Sequence, residues 1–278
     1  DGNLLEEKEG TPLGRFVHLL DAELQVKIMT ETIEKSILMF SDIETPRQRN
    51  GKPAGLQPDQ VPKREEKQLL YLNFYYYLLE QFIIREEVKS GKELTVQGQH
   101  PAATALKSVT FHKSLVAYSM ETLFYVLNQR HIEFQSILET INIKVCELYE
   151  QNIATLNFET LVPQTLKKHF FDIEKLILSY HIWEKQSPIY KRDLSGEYGL
   201  IFERAMVHAG KIVSSLGQTL GYPGQGMEKV WELFKEIMSE KRQFFTNRFI
   251  EQVILCCFYV VSKISGLGVK FQEIIVGF

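Results

Sequence analysis

Cys256, Tyr259 and Lys263 stand three and four residues apart, the spacing that brings side chains onto one face of a helix. They lie in the run FTNRFIEQVILCCFYVVSKISGLGVKF, Phe245 to Phe271. A thiol, a phenol and an ammonium on one stripe offer a wall for a bound peptide. The same stripe also reads as plain core, with a lysine whose stem lies on apolar surface while its head reaches water. Apolar stripes usually face the core, so periodicity alone favours the second reading.

Other chemistries find no residues to carry them. There is no phosphate loop, no histidine pair at metal-binding spacing and no nucleophile elbow. The glycines around 217–226 lack a preceding strand and a phosphate-loop lysine, and read as a helix C-cap and turn. His112, beside Phe111 within a helical pattern, reads as a satisfied, partly buried histidine rather than a ligand. Glu86 and Glu87 are neighbours and point in different directions on a helix, which excludes shared acid–base work. No catalytic residue, metal site or cofactor is expected.

The chain has 278 residues, 44% hydrophobic and 24% charged, with a net charge of −3. That is globular composition, enough for one large or two ordinary domains. The balance gives no basic footprint for direct sequence-specific nucleic-acid binding. Cys146, Cys256 and Cys257 have neither disulfide nor zinc spacing, which points to a reducing compartment, cytosol or nucleus. The most apolar stretch, Phe249 to Ile264, is interrupted by Glu251, Gln252, Ser262 and Lys263 and makes no membrane span.

The stripe needs a helical scaffold, and the pattern supplies one. Residues 1–12 read as a polar leader. Helical spacing runs from Leu13 to Phe40, and residues 41–66, with four prolines, read as an exposed loop. A helix is expected over Lys67–Val88 with the aromatic run Phe74 to Tyr77, apolar on nearly all sides and so central in a bundle, with an exposed charged end at Arg85–Glu87. A loop follows over 89–104. Further helices are expected over Val109–Asn128, Glu133–Thr140, Val145–Thr155, Pro163–Trp183, Gly199–Leu220, Met227–Ser239 and Phe244–Ser265. Strand signals are nearly absent. The chain is expected to be all-α, about ten helices in two bundles.

Five segments, in order, resemble the pocket of the retinoblastoma family. They are FYYYLLEQFIIREE (Phe74 to Glu87), FHKSLVAYSMETL (Phe111 to Leu123) and LKKHFFDIEKLILSYHIWEKQSPIY (Leu166 to Tyr190). Then come GLIFERAMVHAGKIVSSL (Gly199 to Leu216) and NRFIEQVILCCFYVVSKISGLGVKFQEII (Asn247 to Ile275). The WEK and CCFY-x-x-x-KIS wording is similar to the plant and algal branch. There are departures: the family's arginine seven residues before the tryptophan is Leu176, its RH pair is Arg248-Phe249, and its aspartate is Glu251.

The resemblance implies two tandem cyclin-like helical domains, pocket A and pocket B. The expected boundaries are 1–66 for a leader, helix and proline-rich start of A, 67–190 for A, 191–198 for a shortened linker and 199–278 for B. It implies a B domain incomplete at its C-terminus, because the family's fifth B helix, which carries the other side of one groove, would follow Phe278. It implies a nuclear, non-enzymatic transcriptional corepressor and cell-cycle regulator. Its partners would be E-two-F/DP transcription factors and LxCxE-motif proteins (chromatin modifiers, D-type cyclins, viral proteins), with cyclin-dependent kinases as regulators and no membrane role. The LxCxE groove residues carry over to Cys256, Tyr259, Lys263 and Phe271. There a phenol and an ammonium would hold the exposed main chain and acidic end of an extended peptide. The groove for the E-two-F transactivation segment, at the A–B junction in the family, carries over to Glu86, Glu87 and Lys168. The alternative is another cyclin-fold scaffold, a cyclin or general transcription factor core, binding a kinase or transcription machinery.

Overall fold

The computed structural model describes residues 11–41, 64–94, 100, 102–127, 133–150, 163–185, 187–190 and 197–278. Residues 1–10 of the expected leader, most of the proline-rich loop, the end of the Val145–Thr155 helix and most of the 191–198 linker lie outside these. Among the described residues all regular structure is helical, as the pattern predicts. The chain divides into two compact units, Asp1–Thr160 and Leu161–Phe278.

The first unit begins with α1 (Pro12–His18), capped by Thr11, whose side chain accepts from the Gly14 N–H, with Pro12 at its first position. α2 (Ala22–Gln25) continues without a break through a π-helical stretch (Val26–Glu34) into α3 (Lys35–Ser41). The π stretch has a local cause. The buried isoleucines step by five and then four, from Ile28 to Ile33 to Ile37, and widening the turn keeps them on one buried face. The Thr32 hydroxyl donates to the Lys27 carbonyl, five residues back, at 2.9 Å.

Next come α4 (Arg64–Ser90), the single turn α5 (Ala103–Leu106), α6 (Val109–Val126), α7 (Phe134–Thr140) and α8 (Val145–Glu150). The centre is α6 and not the aromatic helix α4. From Phe111 to Phe124 almost every residue of α6 is buried, including Ser114, Ser119, Glu121 and Thr122. Its small polar side chains turn back on the helix: the hydroxyls of Ser114, Ser119 and Thr122 each donate to the carbonyl four residues earlier. That satisfies them without outside partners. α4 buries Tyr71, Tyr75, Leu78, Leu79, Phe82 and Ile83 but leaves Tyr77, Ile84 and Val88 exposed. Its aromatic run is thus one-sided.

His112 joins the two helices. Its Nε2 faces the Leu106 carbonyl at 2.6 Å, and a carbonyl only accepts, so Nε2 carries the proton. Nδ1 therefore accepts from the Tyr75 hydroxyl, 2.6 Å away. The ring is neutral and fully satisfied, in line with the expectation of a structural histidine. Burial pushes its pKa down to about 4, against the pull of the Leu106 carbonyl.

The second unit holds α9 (Gln164–Ser179), short 3-10 turns at His181–Trp183 and Pro188–Tyr190, α10 (Glu197–Thr219), α11 (Gly224–Glu240), a 3-10 turn at Arg242–Phe245, α12 (Ile250–Ser265) and α13 (Phe271–Gly277). α9 packs on α10 and α12. The glycine-rich connection is the expected cap and turn: Gly221 has φ 63° and the Tyr222 N–H donates to the Gly217 carbonyl. The expected Phe244–Ser265 helix starts only at Ile250. Asn247, at φ 52°, donates its N–H to the Trp183 carbonyl at 3.0 Å and accepts from the Lys185 N–H with its side chain.

A depressed histidine pKa means the unfolded chain binds more protons between pH 6.5 and 4. His112 therefore contributes about 3 kcal/mol above pH 6.5 that is lost as pH falls to about 4. Urea unfolding of the wild type and His112→Gln at pH 7 and pH 5 reads this directly. The wild type is expected to lose about 2 kcal/mol more than the variant on acidification, and equal losses contradict the assignment.

Candidate peptide-binding surfaces

α12 shows two chemically different faces. Ile250, Val253, Ile254, Cys257, Phe258 and Val261 are buried, the i, i+3, i+4, i+7 repeat of a core-facing stripe. Cys256, Val260, Lys263 and Ile264 lie exposed on the other side, with Tyr259 half-buried at the edge. The adjacent cysteines thus separate. Burial, with Cys256 beside it, pushes the Cys257 thiol up to about 12, while Cys256 faces solvent.

The turn after α12 sets Phe271 beside the stripe. Gly266 caps the helix at φ 66°, and the Leu267 N–H donates to the Ser262 carbonyl at 3.0 Å, a left-handed helix ending that glycine makes without Cβ strain. The buried Ser262 hydroxyl then donates to the Val269 carbonyl at 3.0 Å. α13 starts at once, with the Glu273 carboxylate accepting from the Lys270 N–H. The Phe271 ring meets the Tyr259 ring edge-on, 5.4 Å between centroids and 71° between planes. The Lys263 ammonium lies 5.4 Å from the same tyrosine ring. Cys256, Tyr259, Lys263 and Phe271 therefore form one surface. Beyond it, Ile264 and Val276 are 80% and 81% exposed.

The other three carried-over residues do not join them. Glu87, expected at an exposed helix end, is turned in: its carboxylate accepts from the Arg15 guanidinium at 2.8 Å and the Leu94 N–H at 2.7 Å, with the side chain 15% exposed. Glu86 pairs with Lys89 at 3.8 Å. Both belong to the first unit. Lys168 is exposed on α9, in the second.

Sequence reasoning missed a groove on the same helix as Lys168. α9, α10 and the end of α13 enclose a cavity of about 450 Å3. Leu178, Ile212 and Leu216 give it apolar lining, Phe171 and Val207 are exposed apolar groups, and Lys175, Arg204 and Lys211 bring cations. Arg204 pairs with Glu174 at 3.1 Å. Lys168, Phe171 and Lys175 follow one α9 stripe at i, i+3 and i+7. That spacing was readable, but its pairing with residues 204–211 was not.

Behind the groove, Ser179 of α9, His208 of α10 and Glu251 of α12 meet. The Ser179 hydroxyl donates to Glu251 Oε1 at 2.7 Å and lies 2.9 Å from His208 Nε2. In a nucleophilic triad the imidazole stands between hydroxyl and carboxylate, using both ring nitrogens. Here the serine stands between and its proton goes to the carboxylate, so the cluster is not a hydrolase site. Burial pushes the Glu251 carboxyl up, but hydrogen bonds involving His208 and Ser179 outweigh it and hold its pKa below the ordinary value.

The family model described as the retinoblastoma-associated protein A domain matches residues 4–192, and that of the B domain matches residues 198–278. Retinoblastoma-related protein 3 of Zea mays is 40% identical over 80 residues, covering 29% of this chain and 8% of that protein. Retinoblastoma-related protein 1 of Triticum aestivum is 22% identical over 318 residues, covering 76% of this chain and 32% of that protein. The wheat match runs longer than this chain, so that relative holds inserted segments that this chain lacks. A retinoblastoma-related protein of Ricinus communis is 50% identical over 48 residues, 17% of this chain and 5% of that protein. The chain thus spans a third or less of these relatives' length.

The two faces of α12 predict a contrast in thiol reactivity. In the native chain at pH 8, a maleimide is expected to label Cys256 within minutes, with Cys257 and Cys146 protected until unfolding. Peptide mapping by mass spectrometry reads the sites, and equal labelling of the two neighbours contradicts the orientation of α12.

Proposed function

Because the chain belongs to the retinoblastoma-associated family of pocket proteins, we propose that it is a transcriptional corepressor scaffold that takes LxCxE peptides on α12–α13 and the acidic transactivation segment of E-two-F factors on α9–α10. The family is one of nuclear, non-enzymatic regulators. Its A and B domains are cyclin-like helical domains, and this chain carries both.

The observation that carries the reading is the stripe of exposed Cys256 and Lys263 with half-buried Tyr259 between them, and Phe271 packed on its tyrosine. An extended peptide leaves its main-chain donors and acceptors unpaired, and a surface that offers a phenol and an ammonium beside apolar side chains answers both needs. Val260 and Ile264 supply apolar surface for the peptide's alternate side chains, and the Lys263 ammonium suits its terminal glutamate.

For the second ligand, the support is charge and shape. Lys175 and Lys211 line a groove with apolar walls, complementary to an acidic segment with apolar anchors, and the exposed Lys168 lies one turn before Phe171 on the same α9 stripe. Glu86 and Glu87, carried over to the same ligand, make their contacts within the first unit, Glu87 with Arg15 and the Leu94 N–H and Glu86 with Lys89. Regulation by cyclin-dependent kinases and localisation to the nucleus belong to the same proposal.

Two conservative substitutions test the α12 surface by calorimetric titration of an LxCxE peptide. Tyr259→Phe keeps the ring packing and removes one hydrogen bond, so affinity is expected to fall about two- to tenfold. Lys263→Ala removes a charged donor and is expected to cost about tenfold or more. Unchanged affinity in both variants overturns the assignment.

A further inference from the structure

The turn between α12 and α13, Gly266 to Lys270, decides where Phe271 stands. α13 is anchored at its far end. Ile274 is fully buried, and the backbone at Gly277 approaches α10 so closely that a Cβ there would stand 2.8 Å from the Leu220 side chain. Phe271 opens the helix at the other end, directly after the turn. Within the turn, Gly266 and Gly268 take left-handed φ angles of 66° and 73° and bring no side chains, while Lys270 faces solvent. A run of this composition has many backbone conformations open to it, so contacts from outside must select one.

Ser262 supplies them. It is 1% exposed, and it grips the turn at both ends. Its carbonyl accepts from the N–H groups of Gly266 and Leu267, and its hydroxyl donates to the Val269 carbonyl at 3.0 Å. Behind Ser262 stands the glycine-rich connection before α11. The Tyr222 ring meets Phe258 edge-on with 4.9 Å between centroids, and its hydroxyl donates at 2.6 Å to the Phe258 carbonyl, one helical turn before Ser262. Burial raises the phenol's pKa, and the Ser262 hydroxyl beside it offsets part of the rise. Gly226, buried at the start of α11, lets these groups close up: a Cβ there would stand 3.1 Å from the Tyr222 ring and 3.4 Å from the Leu267 side chain. The connection thus bears on α12 and on the turn together.

None of these groups adds an atom to the outer surface, because Ser262 and Tyr222 are both buried. They set a register instead. Tyr259 and Lys263 ride on α12, Phe271 rides on the turn, and the edge-on contact of the two rings at 5.4 Å requires the turn to hold its place. We propose that Ser262, backed by Tyr222 and Gly226, is the positioning residue of the α12–α13 surface: its hydroxyl bond to Val269 holds Phe271 against Tyr259 and keeps the surface formed before a peptide arrives. The inference rests on the reading that this surface takes an LxCxE peptide. A surface formed in advance binds without the ordering cost that a loose one meets, so the effect of Ser262 on affinity must pass through Phe271.

The test is a double-mutant cycle, read by calorimetric titration of a synthetic LxCxE peptide against the whole chain. Ser262→Ala removes the bond to Val269 and leaves every outward side chain unchanged, and its affinity is expected to fall about threefold to tenfold. Tyr222→Phe keeps the ring, removes the hydroxyl and is expected to lose about twofold to threefold; it carries the same cycle where Ser262→Ala does not fold. Phe271→Ala removes the ring that Ser262 positions, so on that background Ser262→Ala is expected to change affinity by less than about twofold. A residue that merely stabilises the fold lowers the urea midpoint without altering the affinity of the folded chain, and it gives no such coupling. NMR cross-relaxation between the Phe271 and Tyr259 ring protons is expected to weaken in Ser262→Ala. Wild-type affinity in both Ser262→Ala and Tyr222→Phe, or losses that add in full to that of Phe271→Ala, overturns the inference and leaves the surface assignment to Tyr259→Phe and Lys263→Ala. No binding by the wild type overturns both.

Discussion

The second unit depends on one buried side chain, Trp183, which is 0% exposed. Tyr180 leaves helical geometry at φ −133°, and the tight turn that follows drops the indole into the core. Its Nε1–H donates back to the Leu178 carbonyl at 3.0 Å, and its ring stacks on Phe245 with 4.7 Å between centroids. Its carbonyl accepts from both the Asn247 N–H and the Tyr190 hydroxyl. One residue thereby joins the end of α9, the tail after it and the turn that launches α12. A buried aromatic of this size contributes several kcal/mol, and its polar atoms are all met, so no desolvation cost opposes it. Residues 4–192 match the A-domain model, yet α9 packs with α10 and α12 because this anchor sits on B-domain residues.

Both proposed ligand surfaces follow from that anchoring. α9 lies against α10 closely enough to leave a groove and not a filled seam, and Ser179, four residues before the anchor, reaches His208 and Glu251. α12 is held through its buried stripe, with the Tyr222 hydroxyl donating to the Phe258 carbonyl at 2.6 Å, so its outer stripe needs no part in the core. A helix that is fixed from one side can present a thiol, a phenol and an ammonium on the other. The backbone that carries the surface residues is then set before a peptide arrives, which reduces the ordering cost of binding.

Much of this was legible from residue types and spacing, because local rules govern it. Helical class, the glycine turn at 221 and the Cys256, Tyr259 and Lys263 stripe all follow from periods of three and four. The features that escaped depend on partners distant in the chain. Glu87 is withdrawn by Arg15, 72 residues away, and Glu251 is bound by Ser179, also 72 residues away, with no local signal at either end. The centrality of α6 over α4 was hidden because buried serines and threonines can satisfy themselves on their own helix, while aromatic residues can remain on a surface. The late start of α12 escaped because Asn247 gives up helical geometry for a bond to Trp183, a choice that only the folded unit explains.

The central claim is that the second unit carries two separate peptide surfaces, one on α9 and α10 and one on α12 and α13. Hydrogen–deuterium exchange of the whole chain with each peptide alone, and with both together, tests it most directly. The account predicts that an LxCxE peptide slows exchange in residues 256–275, that an E-two-F segment slows it in residues 164–216, and that the two patterns add when both are bound. Protection of the same residues by both peptides, or displacement of one by the other, would contradict it.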